Sequence, residues 1–169
     1  MRSLSIFNSA FIGSLKKGIS LLLSLTTGTT ETGMTASSVR GFGNKLLSSH
    51  ALVGKTITKL TLDFKTAQAG TITVGVWNGS NVLQITLGTL DASTLTGAFV
   101  AYSFENLTGH VLATDNIIGW SVSGSATGMT SRRVGTSVDA NMGGVVINNA
   151  ATWGVTDPNE DNNMLVYGV

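Results

Sequence analysis

The chain has no cysteine, so neither a disulfide nor a thiolate-bound metal can hold it together. Charge is also scarce: Asp, Glu, Lys and Arg make up 11% of its 169 residues, against about 25% in an ordinary soluble domain. Hydrophobic residues, at 42%, are not in excess, so Ser, Thr, Asn and Gly have taken the place of the missing charge. A neutral polar surface of that kind costs little to desolvate and suits contacts between subunits. With a net charge of +1 and no Lys/Arg stripe in the body, nucleic acid is not an expected partner of the folded part.

Histidine is nearly missing as well, with only His50 and His110. No G-x-S-x-G elbow supplies a nucleophile for either to serve, and two histidines with scattered acids fit no zinc spacing. No G-x-x-x-x-G-K-[ST] loop is present to cradle a phosphate; the glycines mark turns and strand ends. An enzyme is therefore not expected, and neither is a cofactor.

What the chain does have is an apolar, basic beginning. Residues 1–25, MRSLSIFNSAFIGSLKKGISLLLSL, are joined by a Thr/Gly-rich stretch, 26–38, to the remainder, 39–169. Leu4, Phe7, Phe11, Leu15 and Leu22 recur at near-helical spacing with Ser3 or Ser5 as caps, which reads as an amphipathic helical arm. Gly13 and Gly18 weaken such a helix by about 1 kcal/mol each. The alternation of Leu4 and Ile6, then of Ala10 and Ile12, also fits an extended arm. As a signal peptide the segment carries Lys16 and Lys17 too late and lacks an A-x-A-like site. As a transmembrane span it is interrupted by the same lysines, by Asn8 and by several serines. The arm is accordingly expected to be kept and ordered, covered by the body, a neighbouring subunit or a membrane surface. Burying five such side chains contributes on the order of 10 kcal/mol before ordering costs.

From residue 39 onward the hydrophobic period is two. Leu60, Leu62 and Phe64 share one face, as do Ile72, Val74 and Val76; Leu83, Ile85 and Leu87; Val100, Tyr102 and Phe104; and Ile118, Trp120 and Val122. With segments at 42–47, 131–136, 144–148 and 164–169, about nine strands are expected. Asn78-Gly79-Ser80-Asn81 is a hairpin turn, and other glycine-rich breaks separate the remaining strands. No long helical pattern intervenes. The expected fold is all-β: an antiparallel two-sheet sandwich of jelly-roll type carrying an N-terminal arm.

Within that series, G-T-I-T-V-G-V-W (70–77), L-G-T-L-D-A-S-T-L (87–95), Y-S-F (102–104) and L-A-T-D-N-I-I-G-W (112–120) resemble a jelly-roll module of surface and virion proteins of archaea, their viruses and some phages. The resemblance spans roughly residues 54–122 and rests on strand and turn chemistry. It implies a fibre, decoration or capsid-surface role, and such modules are also similar to carbohydrate-binding sandwiches.

Three groups of residues are candidates for contacts. Trp77 and Trp153 could stack on a glycan, Trp77 by its phase opposite Ile72, Val74 and Val76, and Trp153 by its place in the loop-like AATWGVTD; core or interface packing is the competing reading. Asp157, Glu160 and Asp161 lie in an oxygen-rich segment that reads first as a polar turn before the final strand and only weakly as a calcium site, since it lacks EF-hand spacing. Arg132-Arg133 is suited to a partner's carboxylate, and Asn78 and Asn106 begin glycosylation acceptor patterns. Charge is uneven along the chain: Arg2, Lys16, Lys17, Arg40 and Lys45 face a single acid, Glu31, in residues 1–54. The arm's cations are expected to meet the acidic segment of a neighbour, or an interior surface facing nucleic acid. Taken together, these features point to a self-assembling structural protein: a virion shell, decoration or fibre subunit that contacts copies of itself and other virion proteins. The alternatives are a glycan-binding adhesion module and a donor-strand filament on an extracellular surface.

Overall fold

The computed structural model describes residues 18–26, 30–33, 41–123, 129–134, 139–147, 152–157 and 161–169. Their strands are β1 (Ser20–Leu25), β2 (Thr30–Gly33), β3 (Gly41–Leu46), β4 (Thr56–Lys65), β5 (Thr71–Trp77), β6 (Leu83–Asp91), β7 (Val100–Val111), β8 (Ile117–Val122), β9 (Thr130–Val134), β10 (Met142–Ile147), β11 (Trp153–Asp157), β12 (Asp161–Asn162) and β13 (Met164–Gly168). A 3-10 turn, Ala92–Thr94, leads from β6 towards β7.

Every strand pairing is antiparallel. The first sheet runs β1-β13-β4-β9-β12, with β2 on β9 and β7 on β4; the second runs β11-β10-β3-β8-β5-β6. Alternation decides which side chains go inside. In β4, Leu60, Leu62 and Phe64 are buried and Lys59, Thr61 and Asp63 are not, so one face of the strand is apolar and the other polar. β5 and β8 do the same from the second sheet with Ile72, Val74, Val76, Ile118, Trp120 and Val122. Phe64 of the first sheet meets Trp120 of the second nearly edge-on, ring centroids 5.2 Å apart, and this pair lies in one continuous core between the sheets.

Four strands lie where none was expected. The leucine run Ser20–Leu25 is not a helix: it pairs residue by residue with β13, with a register shift between Leu21 and Leu23, and Leu25 is buried in the core. Leu22 therefore sits on a strand rather than on a helical face. A run of consecutive leucines satisfies a helix or a strand equally well, and the pairing partner at the other end of the chain decides between them. Leu4, Phe7, Phe11 and Leu15 lie outside the described residues. Within the expected linker, Thr30–Gly33 forms β2 against β9; the loop-like segment around Trp153 is β11; and Asp161 is in β12, not in a turn.

Candidate functional site

The outer face of the second sheet carries Trp77 and Trp153. Gly43, Gly119 and Gly75 lie opposite one another on β3, β8 and β5, and Val145 of β10 extends the row. Side chains from neighbouring rows lie across the glycine backbone. A methyl group on Gly43 would sit 2.7 Å from Ile117 Cγ2 and 3.2 Å from Trp153 Cη2. Trp77, Ile117, Val145 and Trp153 thus form a second apolar cluster, on the face turned away from the main core. The two tryptophans are brought together as an inclined pair, ring centroids 5.1 Å apart at 64°. Trp77 is only 6% exposed and Trp153 is half-buried, its backbone N–H held by Asn81 Oδ1 of the β5–β6 turn at 2.9 Å. An inclined pair with one ring covered does not offer the broad coplanar surface on which a sugar stacks. It is the geometry of aromatic packing.

The acidic segment is placed differently. Asp161 is fully buried, and it and Asn162 pair with Val134 and Arg133 of β9, so acid and basic dipeptide belong to neighbouring strands of one chain. Glu160 lies outside the described residues, and Asp157 ends β11. Among the described residues no three His, Asp or Glu side chains gather as a metal cage. Next to Asp161 the two sheets are tied by an amide: buried Asn44 of β3 donates from Nδ2 to Asn162 O (3.2 Å) and accepts the Asn162 N–H at Oδ1 (2.7 Å). On the outer face of the first sheet, Arg132 lies 3.6 Å from Asp63 Oδ2 and 4.3 Å from the Phe99 ring, with Lys65 over the same ring at 4.7 Å. This arginine thus has a carboxylate within its own chain.

The histidines are placed by packing. His50 is buried in the β3–β4 loop; its Nδ1 accepts the Leu52 N–H at 3.0 Å and its Nε2 lies 3.0 Å from Asp139 Oδ2. The ring is thus set between the backbone of its own loop and the Asp139 carboxylate. His110 Nε2 meets Asn116 Oδ1 at 3.1 Å. One depression on the outer face of the first sheet, lined by Thr26, Thr61, Asp63, Ala101, Asn163, Met164 and Leu165, has a volume of about 60 Å³, room for one or two waters and far below the several hundred Å³ of a small-molecule site. The Asp91 carboxyl is held below its ordinary value of 3.8 by the N–H and hydroxyl of Ser93, which it caps. Both asparagines that begin the glycosylation patterns make hydrogen bonds within the chain. Asn106 Nδ2 donates to Thr86 O at 3.0 Å, and Asn78 Oδ1 accepts the N–H groups of Ser80 and Val82.

The sheet edges remain. β1 ends the first sheet, and the flanking Ile19 and its own Leu21 are 45% and 51% exposed. β7, on the other edge of β4, carries an irregularity: Glu105 pairs with Lys59 and His110 with Ile57, so Asn106–Gly109 stand opposite Thr58 alone. Gly109 takes φ +67° there and Leu107 projects, 71% exposed. Sequence reasoning gave Trp77 its outward phase but not the Ile117, Val145 and Trp153 that cover it. The signal available was glycine at 43, 75 and 119, which permits large side chains to lie across a sheet. Comparison with known protein families, with characterised proteins and with solved structures found no match to this chain.

Proposed function

We propose that this chain is a structural, self-assembling subunit, its two sheets wound as a jelly roll, serving in a virion shell, decoration or fibre. The observation that carries the reading is β1. An edge strand made of Ser20, Leu21, Leu22, Leu23, Ser24 and Leu25 has no charge, and apolar side chains are left half exposed at a sheet end. A soluble monomer normally guards such an edge with charge, proline or a bulge; β1 has the register shift between Leu21 and Leu23 but neither charge nor proline. The apolar segment 1–17 leads directly into this edge, supplying Leu4, Phe7, Phe11 and Leu15 for a contact with a neighbouring copy.

The experiment is removal of residues 1–17, with native mass as the readout. Deleting 1–25 would remove β1 and damage the sheet itself, so the cut must stop before Gly18. The full chain is expected to form a defined oligomer and the shortened chain a smaller species with an unchanged circular dichroism spectrum. A shortened chain that assembles as the parent does would remove the arm from the account. A full chain that is monomeric at high concentration would remove self-assembly altogether.

A further inference from the structure

We infer that the outer face of the first sheet binds a neutral saccharide, taking the edge of one sugar ring in the depression over β13, β4 and β7. The inference goes beyond self-assembly and does not depend on it.

The strand registers lay this face out in rows. Tyr167, Lys59 and Glu105 stand side by side across β13, β4 and β7, with Lys59 Nζ 5.1 Å from the centre of the Tyr167 ring. Two positions along, the outward row is Leu165, Thr61 and Ser103, and Asp63 beside Ala101 follows. Past Asp63, Arg132 and Lys65 close over the Phe99 ring. Short side chains therefore floor a trough between two ridges of long ones, and the depression of about 60 Å³ lies in it.

The floor offers hydrogen bonds rather than a stacking surface. Thr61 Oγ1 and Ser103 Oγ are 2.8 Å apart, so one hydroxyl donates to the other and the second O–H is left for a ligand or water. The Asp63 side chain is 30% exposed, and its 3.6 Å contact with Arg132 is too long for a hydrogen bond. An acceptor and a forked donor thus stand side by side, as two hydroxyls on adjacent carbons require. Asn163, more than nine-tenths buried, lines the same depression and is anchored by its backbone N–H on Arg132 O at 3.1 Å. Ala101 and Leu165 add small apolar patches of the kind that meet the C–H groups of a pyranose. The Tyr167 and Phe99 rings already carry cations, so they edge the trough instead of receiving the sugar face-on. All these groups sit on or directly beside paired strands, which fixes them before any ligand arrives.

Charge and size narrow the ligand. Among the described residues Asp63 is the one acid lining the depression, too few for a cation cage and enough to repel an acidic sugar. The volume admits a hydroxymethyl group or two hydroxyls, so the ring lies along the trough with only its edge inside. So shallow a contact corresponds to a dissociation constant on the order of 1 mM for a single chain.

The test titrates the full-length protein with neutral hexasaccharides of glucose, mannose and galactose, and with hexagalacturonate as the acidic control. Amide NMR shifts and calorimetry are the readouts. At least one neutral sugar is expected to move the amides of Thr61, Ala101 and Ser103, and the acidic one is expected to move none. Ala101→Phe fills the trough and Asp63→Asn removes the carboxylate at constant volume; each should weaken binding about tenfold or more while native mass stays as in the parent. Trp153→Phe, on the other sheet, should leave the affinity unchanged. Should Ala101→Phe lower the melting temperature, Thr61→Val, which deletes one hydroxyl and keeps the shape, is read in its place. Three outcomes would overturn the inference: no shift with any neutral sugar at about 10 mM, full affinity in both trough variants, or binding lost with Trp153→Phe and kept with Ala101→Phe. None of them touches self-assembly, which native mass reads separately.

Discussion

Asn44 performs with a side chain what a strand performs with its backbone. Its amide gives and takes one hydrogen bond with Asn162, so a buried N–H and a buried carbonyl between the sheets are satisfied by one residue, with Met164 Sδ 3.8 Å from the same Nδ2. Asn44→Leu keeps the volume and leaves both backbone groups dry and unpaired, and is expected to cost about 3 kcal/mol in urea unfolding. A loss under about 1 kcal/mol would mean that water reaches the gap. Asp91 is a milder case on the surface. Its folded carboxyl titrates below 3.8, so the stability it contributes is present above the unfolded value and is lost as pH falls through the folded one. The stability gap between the parent and Asp91→Ala should therefore be constant around neutrality and narrow over the acid range below 3.8. A gap that is the same at both ends of that range would assign the effect to helical-turn propensity rather than to charge.

At the scale of elements, β7 shows how an edge is closed to strangers. Gly109 needs its positive φ to return the chain to register, and a Cβ there would come within 2.7 Å of Thr56 Cγ2. Gly109→Ala is expected to cost about 1–2 kcal/mol, measured by thermal unfolding, with no change in oligomer size. An undiminished melting temperature would mean that the turn tolerates a side chain and is not what sets the bulge. The elements whose faces could be read from sequence share one property: an apolar side chain at every second position for at least three positions, as in Leu60–Phe64 or Ile118–Val122. β1 failed that test because leucines at successive positions have no period. β2 and β12, TETG and DN, failed because they are short and polar and exist only through pairing with β9, far away in sequence. The candidate site was half legible for the same reason. Trp77 could be assigned to the outer face by counting within β5, but its contact with Trp153 depends on β11 lying beside β10, which no local pattern records.

Across the whole molecule charge is a minor actor. With a net charge of +1 and an uncharged β1, the association proposed here is apolar, so about 1 M NaCl should leave the oligomer intact in analytical ultracentrifugation. Dissolution in moderate salt would transfer the dominant role to ion pairs. Folding is expected to be slow for this size, in milliseconds to seconds, because the sheets join distant segments. The most distant of these is β1 with β13, and beside it the final residue, Val169, exchanges backbone hydrogen bonds with Thr56 at 2.9 and 3.0 Å. That closure has a consequence for the order in which the protein is made. β1 leaves the ribosome well before β13, the strand that seats it, and at about 5–20 residues per second the wait is of the order of ten seconds or more. For all that time the nascent chain displays its leucine run without a neighbour. Chains growing side by side on one message would expose the same uncharged segment to each other before either has finished. The cell must therefore shield this strand during translation or let the first pairings begin there.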